Sequence, residues 1–105
     1  MNKYHAKKCE MDGIKFDSLR ERDRYCDLKA AQQANEISNL KVHVPFSIDI
    51  NGKHVCKYIA DFVYSDICGD RQTVVEDVKG VRTAVYRLKK KLMLACHGIE
   101  ITEVE

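Results

Sequence analysis

The dipeptide Asn51-Gly52 lies between two runs of alternating apolar and polar residues, and it restricts the fold more than any other feature of the chain. Asn-Gly is the preferred pair for a two-residue β-hairpin, because both central positions of a type I′ turn need positive φ. On its N-terminal side, Leu40 to Ile50 repeats with period two and puts Val42, Val44, Phe46, Ile48 and Ile50 on one face. Pro45 has no amide hydrogen to give to a ladder, which predicts an edge strand or a bulge. On the other side, Val55 to Tyr64 should return antiparallel. Its core, K-Y-I-A-D-F-V-Y, is apolar on both faces, as a central strand is. Strict alternation groups Tyr58, Ala60, Phe62 and Tyr64 on one face, and Ile59, Asp61 and Val63 on the other. Asp61 is then a carboxylate among aliphatics, and a buried charge requires a lysine, a hydrogen-bond donor or a metal ion. A salt bridge or a protonated acid would satisfy it structurally, yet nothing in a strand demands an acid at that position.

A polar stretch from Ser65 to Gln72, with Gly69-Asp70 as a hairpin-like connection, leads into T-V-V-E-D-V-K-G at Thr73 to Gly80. This reads as a third strand of an antiparallel meander. Alternation points Val75, Asp77 and Lys79 one way, and Val74, Glu76 and Val78 the other. Asp61 and Asp77 can therefore lie side by side on neighbouring strands. A helix follows from about Thr83 to His97, with Gly98 as its C-cap and Val85, Leu88, Leu92 and Cys96 as its expected core stripe. Arg82, Arg87, Lys89, Lys90 and Lys91 give this helix five positive charges with no acid among them. Such a face is either solvated or able to hold a phosphate backbone. Ile99 to Val104 alternates again, and a strand–helix–strand unit of this length favours a parallel last strand.

Upstream, Asp12-Gly13 predicts a second, short hairpin within Lys3 to Asp17. Lys3, His5, Lys7 and Lys8 make the N-terminus basic, as a solvated tail or an arm on a phosphate backbone. A helix should run from Asp17-Ser18 to about Ala34, with Leu19, Cys26 and Ala30 on one face and Glu21, Tyr25, Leu28 and Gln32 on another. Glu21 thus heads a partly apolar stripe. Ser18-Leu19-Arg20-Glu21 has the capping-box spacing, which would turn Glu21 back to the Ser18 amide; a metal or substrate carboxylate is the alternative.

The predicted order is αβββαβ behind an N-terminal hairpin: a mixed sheet flanked by helices, α/β (α+β) in class, in one domain spanning 1–105. Hydrophobic residues at 45% and charged residues at 32% suit a soluble, folded chain. There is no run long enough to span a bilayer and no charged-then-apolar leader, so export is not expected. At net charge +2, nucleic-acid affinity would need local patches. Cys9, Cys26, Cys56, Cys68 and Cys96 form no C-x-x-C pair, which predicts free buried thiols and no disulfides. His54 with Cys56, and Cys96 with His97, are the only looser metal half-sites.

F-D-S-L-R-E at Phe16 to Glu21, A-D-F at Ala60 to Phe62 and E-D-V-K-G at Glu76 to Gly80, in this order, resemble the PD-(D/E)xK nuclease superfamily and its restriction-endonuclease-like core. With Thr83, Tyr86 and Lys89 in the following helix, nearly the whole chain is similar to a family of small phage and prophage proteins, endonuclease-like and formerly of unknown function (DUF1064-like). Ala60 stands where the superfamily's name has proline, a common departure. The resemblance implies that Asp61 and Asp77 are central metal-binding and catalytic carboxylates and that Glu21 completes the site, which favours the metal role of Glu21 over the cap. It implies the Val78 carbonyl as a further metal ligand, and Lys79 as the residue that positions or activates the attacking water. Lys89 and Tyr86 would contact phosphate or support the site, with Arg82 and Lys90 also on the nucleic-acid side. Glu76 faces away and is left out. Mg²⁺ or Mn²⁺ is the implied cofactor, since hard carboxylate oxygens suit either ion. DNA is the implied substrate, cut by a protein of the bacterial cytoplasm, with a homodimer of junction-resolvase type as an attractive form. An RNA substrate, and an inactive module that only binds nucleic acid or a phage partner, are the alternatives.

Overall fold

Asn51 and Gly52 adopt φ of +52° and +77°, and join strands β3 (Ile37–Ile50) and β4 (Lys53–Asp66) into the long antiparallel hairpin that the turn predicts. The computed structural model describes residues 8–67, 72–79 and 81–105. Lys3, His5, Lys7, Cys68, the Gly69-Asp70 connection and Gly80 lie outside the described residues. Asp12 and Gly13, at φ +54° and +77°, close the smaller hairpin of β1 (Cys9–Met11) and β2 (Ile14–Phe16). Helix α1 (Leu19–Gln33) follows, then β3 and β4, strand β5 (Thr73–Val78), helix α2 (Ala84–His97) and strand β6 (Thr102–Val104). The main sheet is ordered β3-β4-β5-β6, antiparallel except for the parallel β5–β6 pair. The αβββαβ order, the N-terminal hairpin and the parallel last strand are all present.

Simple alternation along the long hairpin is broken by register shifts between Ser38 and Lys41 and between Ile48 and Asp49, and the faces exchange at one further rung. Val42 packs with Phe62 and Tyr64 in the cluster under α1, around Phe16, Tyr25 and Leu28. Phe46 and Ile48 instead pack with Tyr58 and Ala60 in the cluster under α2, around Tyr86, Met93 and Ile101. Residues two and four apart on one strand thus end on opposite sides of the sheet, on β3 and β4 alike. The exchange occurs where His43 and Asp61 would pair: Val42↔Phe62 and Val44↔Ala60 are in register, and the rung between them is not formed. His43 has φ +54°, a left-handed conformation that turns the strand over. The expected single faces, Tyr58 to Tyr64 and Val42 to Ile50, are therefore each split in two. One sheet serves two cores because its central hairpin swaps faces midway.

The core stripe of α2 is also different from the expected one. Tyr86 and Met93, seven residues apart, are its buried residues; Leu92 is half-buried, while Val85 and Leu88 are 63% and 57% exposed and Cys96 is exposed. The larger Tyr and Met side chains take the sheet, and the aliphatic stripe turns outward. The thiols differ as well: Cys9 and Cys56 are half-buried, Cys26 and Cys96 exposed, and all four are free. No helix among the described residues is long and apolar enough to cross a membrane.

Candidate metal centre

The acid on α1 is set by the helix start. Ser18 caps α1, its Oγ accepting from the Glu21 amide at 3.1 Å. The second half of a capping box does not form: the Glu21 carboxylate turns to His43, whose Nε2 lies 2.8 Å from Glu21 Oε1. Glu21 is buried, and that burial raises its pKa against the opposing pull of His43.

Asp61 occupies the rung where the faces exchange. Its Oδ2 accepts from the Val78 amide at 2.7 Å, so the chain meets Val78 through its N–H. Burial first, then the charges of Asp77 and Glu21, push Asp61 up to about 8, while the Val78 amide pulls the other way. Asp77, on β5, is 1% exposed, and its Oδ2 accepts from the Tyr58 hydroxyl. Lys79 Nζ stands 3.0 Å from Asp77 Oδ1, at ion-pair distance but outside hydrogen-bond geometry. That buried oxygen receives no hydrogen bond among the described residues. Lys79 also lies over the Tyr86 ring, 4.5 Å from its centroid.

Glu21 reaches in from α1, Asp77 comes from the side of β5 that faces Tyr58 and α2, and Asp61 lies between them. Glu76 faces the other way, as alternation requires, and is held by Arg24 and Tyr64. Asp77 and Glu21 both raise the cost of ionising Asp61, and a divalent cation beside Asp61 would offset it. Glu21, His43 and Asp61 each offer one atom, and these atoms all lie within 4.8 Å of one another. No other such group of three forms among the described residues: His54 instead contacts Asp49 and Ser47, and His97 the Ser47 carbonyl.

The basic residues of α2 are partly neutralised by β6. Glu103 accepts from the Tyr86 hydroxyl at 2.8 Å and pairs with Arg82 at 3.2 Å and Lys90 at 3.3 Å; Arg82 also pairs with Glu105 at 2.9 Å. Tyr86 is buried, so it supports Lys79 from below while Glu103 fixes its hydroxyl. Lys89 is half-exposed and forms no ion pair among the described residues.

His43 is the site residue that sequence reasoning missed. It stood among the polar residues of β3, with no sign that it would face Asp61. Counting back from the Asn51-Gly52 turn pairs His43 with Ala60; the one-residue shift between Ile48 and Asp49 moves it opposite Asp61. No signal in the sequence marks that shift.

The raised pKa of Asp61 has a consequence for stability. An unfolded Asp ionises near 3.8, so between about pH 4 and pH 8 the folded chain binds more protons than the unfolded one. Stability then falls as pH rises through this window, and buried Glu21 acts in the same direction. Asp12, Asp49 and Glu103 have lowered values and act only at lower pH. With chelator present, Tm should be higher at pH 5 than at pH 8. Asp61→Asn should flatten this profile and raise Tm at pH 8 by about 5 °C, equivalent to ~1 kcal/mol. A variant that melts lower than wild type at pH 8 would show that Asp61 is not under this strain.

A family model described as "Protein of unknown function (DUF1064)" matches residues 1–101 of the chain. The comparison with curated proteins finds no match, and neither does the comparison with solved structures.

Proposed function

The chain belongs to the DUF1064 family, and we propose that it is a divalent-metal-dependent endonuclease of the PD-(D/E)xK type that hydrolyses phosphodiester bonds in DNA. The observation that carries this reading is the convergence of Glu21, Asp61 and Asp77 from three separate elements, with Lys79 paired to Asp77. A structural role explains one buried acid with one partner; it does not explain three acids that repel one another.

In this reading Glu21, Asp61 and Asp77, with the Val78 carbonyl, would hold Mg²⁺ or Mn²⁺, which when bound would supply Lewis-acid polarisation of phosphate and a more acidic water. The protein's own part is positional and electrostatic. Asp77 fixes Lys79 by charge and Tyr86 by its ring, so the ammonium is held at the acids rather than free in solvent. From there Lys79 orients the attacking water and offsets charge on the phosphate, an effect of roughly 10²–10³-fold in rate. Lys89, with no ion pair among the described residues, would meet the backbone directly, while Arg82 and Lys90 would first have to leave Glu103. Action on branched DNA in the cytoplasm of a phage-carrying bacterium, by a homodimer, belongs to the same proposal.

The test is a cleavage assay with Mg²⁺ or Mn²⁺ on linear, nicked, flapped and four-way-junction DNA, and on single-stranded DNA and RNA. Cleavage abolished by chelator is expected, strongest on branched DNA, with sedimentation reporting the dimer. Binding of DNA with no cleavage under either ion would instead make the chain a binding module. Cleavage of RNA alone would move the substrate class.

A further inference from the structure

The geometry points to His43 as a nitrogen ligand of the metal centre, which makes the site select Mn²⁺ or another first-row transition ion over Mg²⁺. The inference rests on the metal site proposed above and adds to it a ligand and a selectivity. His43 stands at the unformed rung opposite Asp61, and its φ of +54° is a conformation that a residue with a Cβ adopts only at a cost of about 1–2 kcal/mol. Strain of this kind persists where the surrounding structure holds it in place, most often at functional sites. Here it delivers the imidazole to Glu21: Nε2 is 2.8 Å from Oε1, and the histidine, Glu21 and Asp61 donor atoms lie mutually within 4.8 Å.

A second observation points into the same place. Asp77 is 1% exposed, and its Oδ1 receives no hydrogen bond among the described residues, although Asp77 adjoins Asp61. Lys79 meets Asp77 Oδ1 by charge alone, and a lone hydrogen bond from His43 to Glu21 would leave the Asp61–Asp77 repulsion uncompensated; a cation held beside Asp61 offsets it. His43 also lines an open cleft of about 600 Å³ between the N-terminal hairpin, α1 and β3, with Gly13, Lys15 and Lys29 among its walls; Glu21, Asp61 and Asp77 are not among them.

The chemistry then sets the selectivity. Mg²⁺ takes oxygen donors and parts with water reluctantly, whereas imidazole suits transition ions. A mixed set of carboxylate oxygens and one imidazole favours Mn²⁺ over Mg²⁺ relative to an all-oxygen site.

The experiment reads ligation directly, with no dependence on activity. Mn²⁺ is added to the full chain, and electron spin-echo envelope modulation is recorded for ¹⁴N coupled to the ion, alongside Mn²⁺ and Mg²⁺ affinities by calorimetry. His43→Asn is the variant used, because Asn tolerates positive φ and supplies no imidazole; its shorter side chain also gives up the contact that Nε2 makes with Glu21. Directly coordinated ¹⁴N in wild type, lost in His43→Asn with a fall in Mn²⁺ affinity of about 10–100-fold and a much smaller fall for Mg²⁺, is expected. Mn²⁺ bound with no ¹⁴N coupling, or equally well by His43→Asn, overturns the ligand role and leaves the carboxylate site standing. No Mn²⁺ binding by wild type overturns both this inference and the metal-dependent reading beneath it.

Discussion

Asp77→Asn should lower metal-dependent DNA cleavage by roughly 10³-fold or more while the protein remains folded. The substitution keeps the shape of the side chain and removes only its charge. The Tyr58 hydroxyl can still donate, to the asparagine carbonyl oxygen, so the buried contact survives. Lys79 loses its anion but is 26% exposed and can turn to solvent. Asp61 loses its nearest like charge, so its burial becomes less costly and stability should hold or rise. Asp77→Ala is the poorer test, because it also strands the Tyr58 hydroxyl in the core. Lys79→Met should give a loss of similar size with Asp77 intact, since the ammonium that meets the phosphate is gone while its aliphatic stem is retained. Rates at saturating Mg²⁺ or Mn²⁺, with circular dichroism melts of each variant, decide the matter. Full activity in either variant would remove Asp77 and Lys79 from the mechanism.

The parts of this site that were legible in the sequence are those governed by local rules. Asn51-Gly52 and Asp12-Gly13 have positive φ because a type I′ turn needs it at both central positions, and both turns stand where the dipeptides put them. On β5, alternation separated Glu76 from Asp77, and the two acids do face opposite sides. The hairpin also brought Asp61 near β5, because a meander leaves no other neighbour for β4. What stayed hidden depends on tertiary competition. The left-handed turn of His43 and the one-residue shift near Ile48 are settled by two helices packing on opposite faces of one hairpin, and no window of local sequence contains both helices. The acids that neutralise Arg82 and Lys90 arrive from β6, after the cationic helix has ended. The stripe that α2 buries was misread for a related reason: Val85 and Leu88 are more apolar than Tyr86, but only Tyr86 has a partner for its hydroxyl and a lysine over its ring.

The neighbouring acid should give the opposite result to Asp77, a large loss of stability with the chemistry spared. Glu76 is 1% exposed and is bound in a fork by Arg24, whose Nε donates to Oε1 at 2.8 Å and whose terminal nitrogen donates to Oε2 at 2.7 Å. The Tyr64 hydroxyl donates to the same carboxylate. This pair clamps α1 to the middle of the sheet, and α1 is the element that carries Glu21. Arg24→Ala leaves a buried carboxylate with only a hydroxyl to satisfy it, and breaking such a pair costs about 3–5 kcal/mol. Because the Arg24 side chain is itself 29% exposed, the lower figure applies, ~3 kcal/mol, which lowers Tm by roughly 15 °C. Replacing the whole buried group by apolar residues, Arg24→Met with Glu76→Leu and Tyr64→Phe, leaves no unpaired charge and should recover most of the loss. If Glu76 is only a clamp, the triple variant should also cleave DNA at close to the wild-type rate below its melting temperature. A triple variant that is stable but inactive would put Glu76 within the chemistry, and an Arg24→Ala protein that melts within a degree or two of wild type would show that the clamp carries no weight.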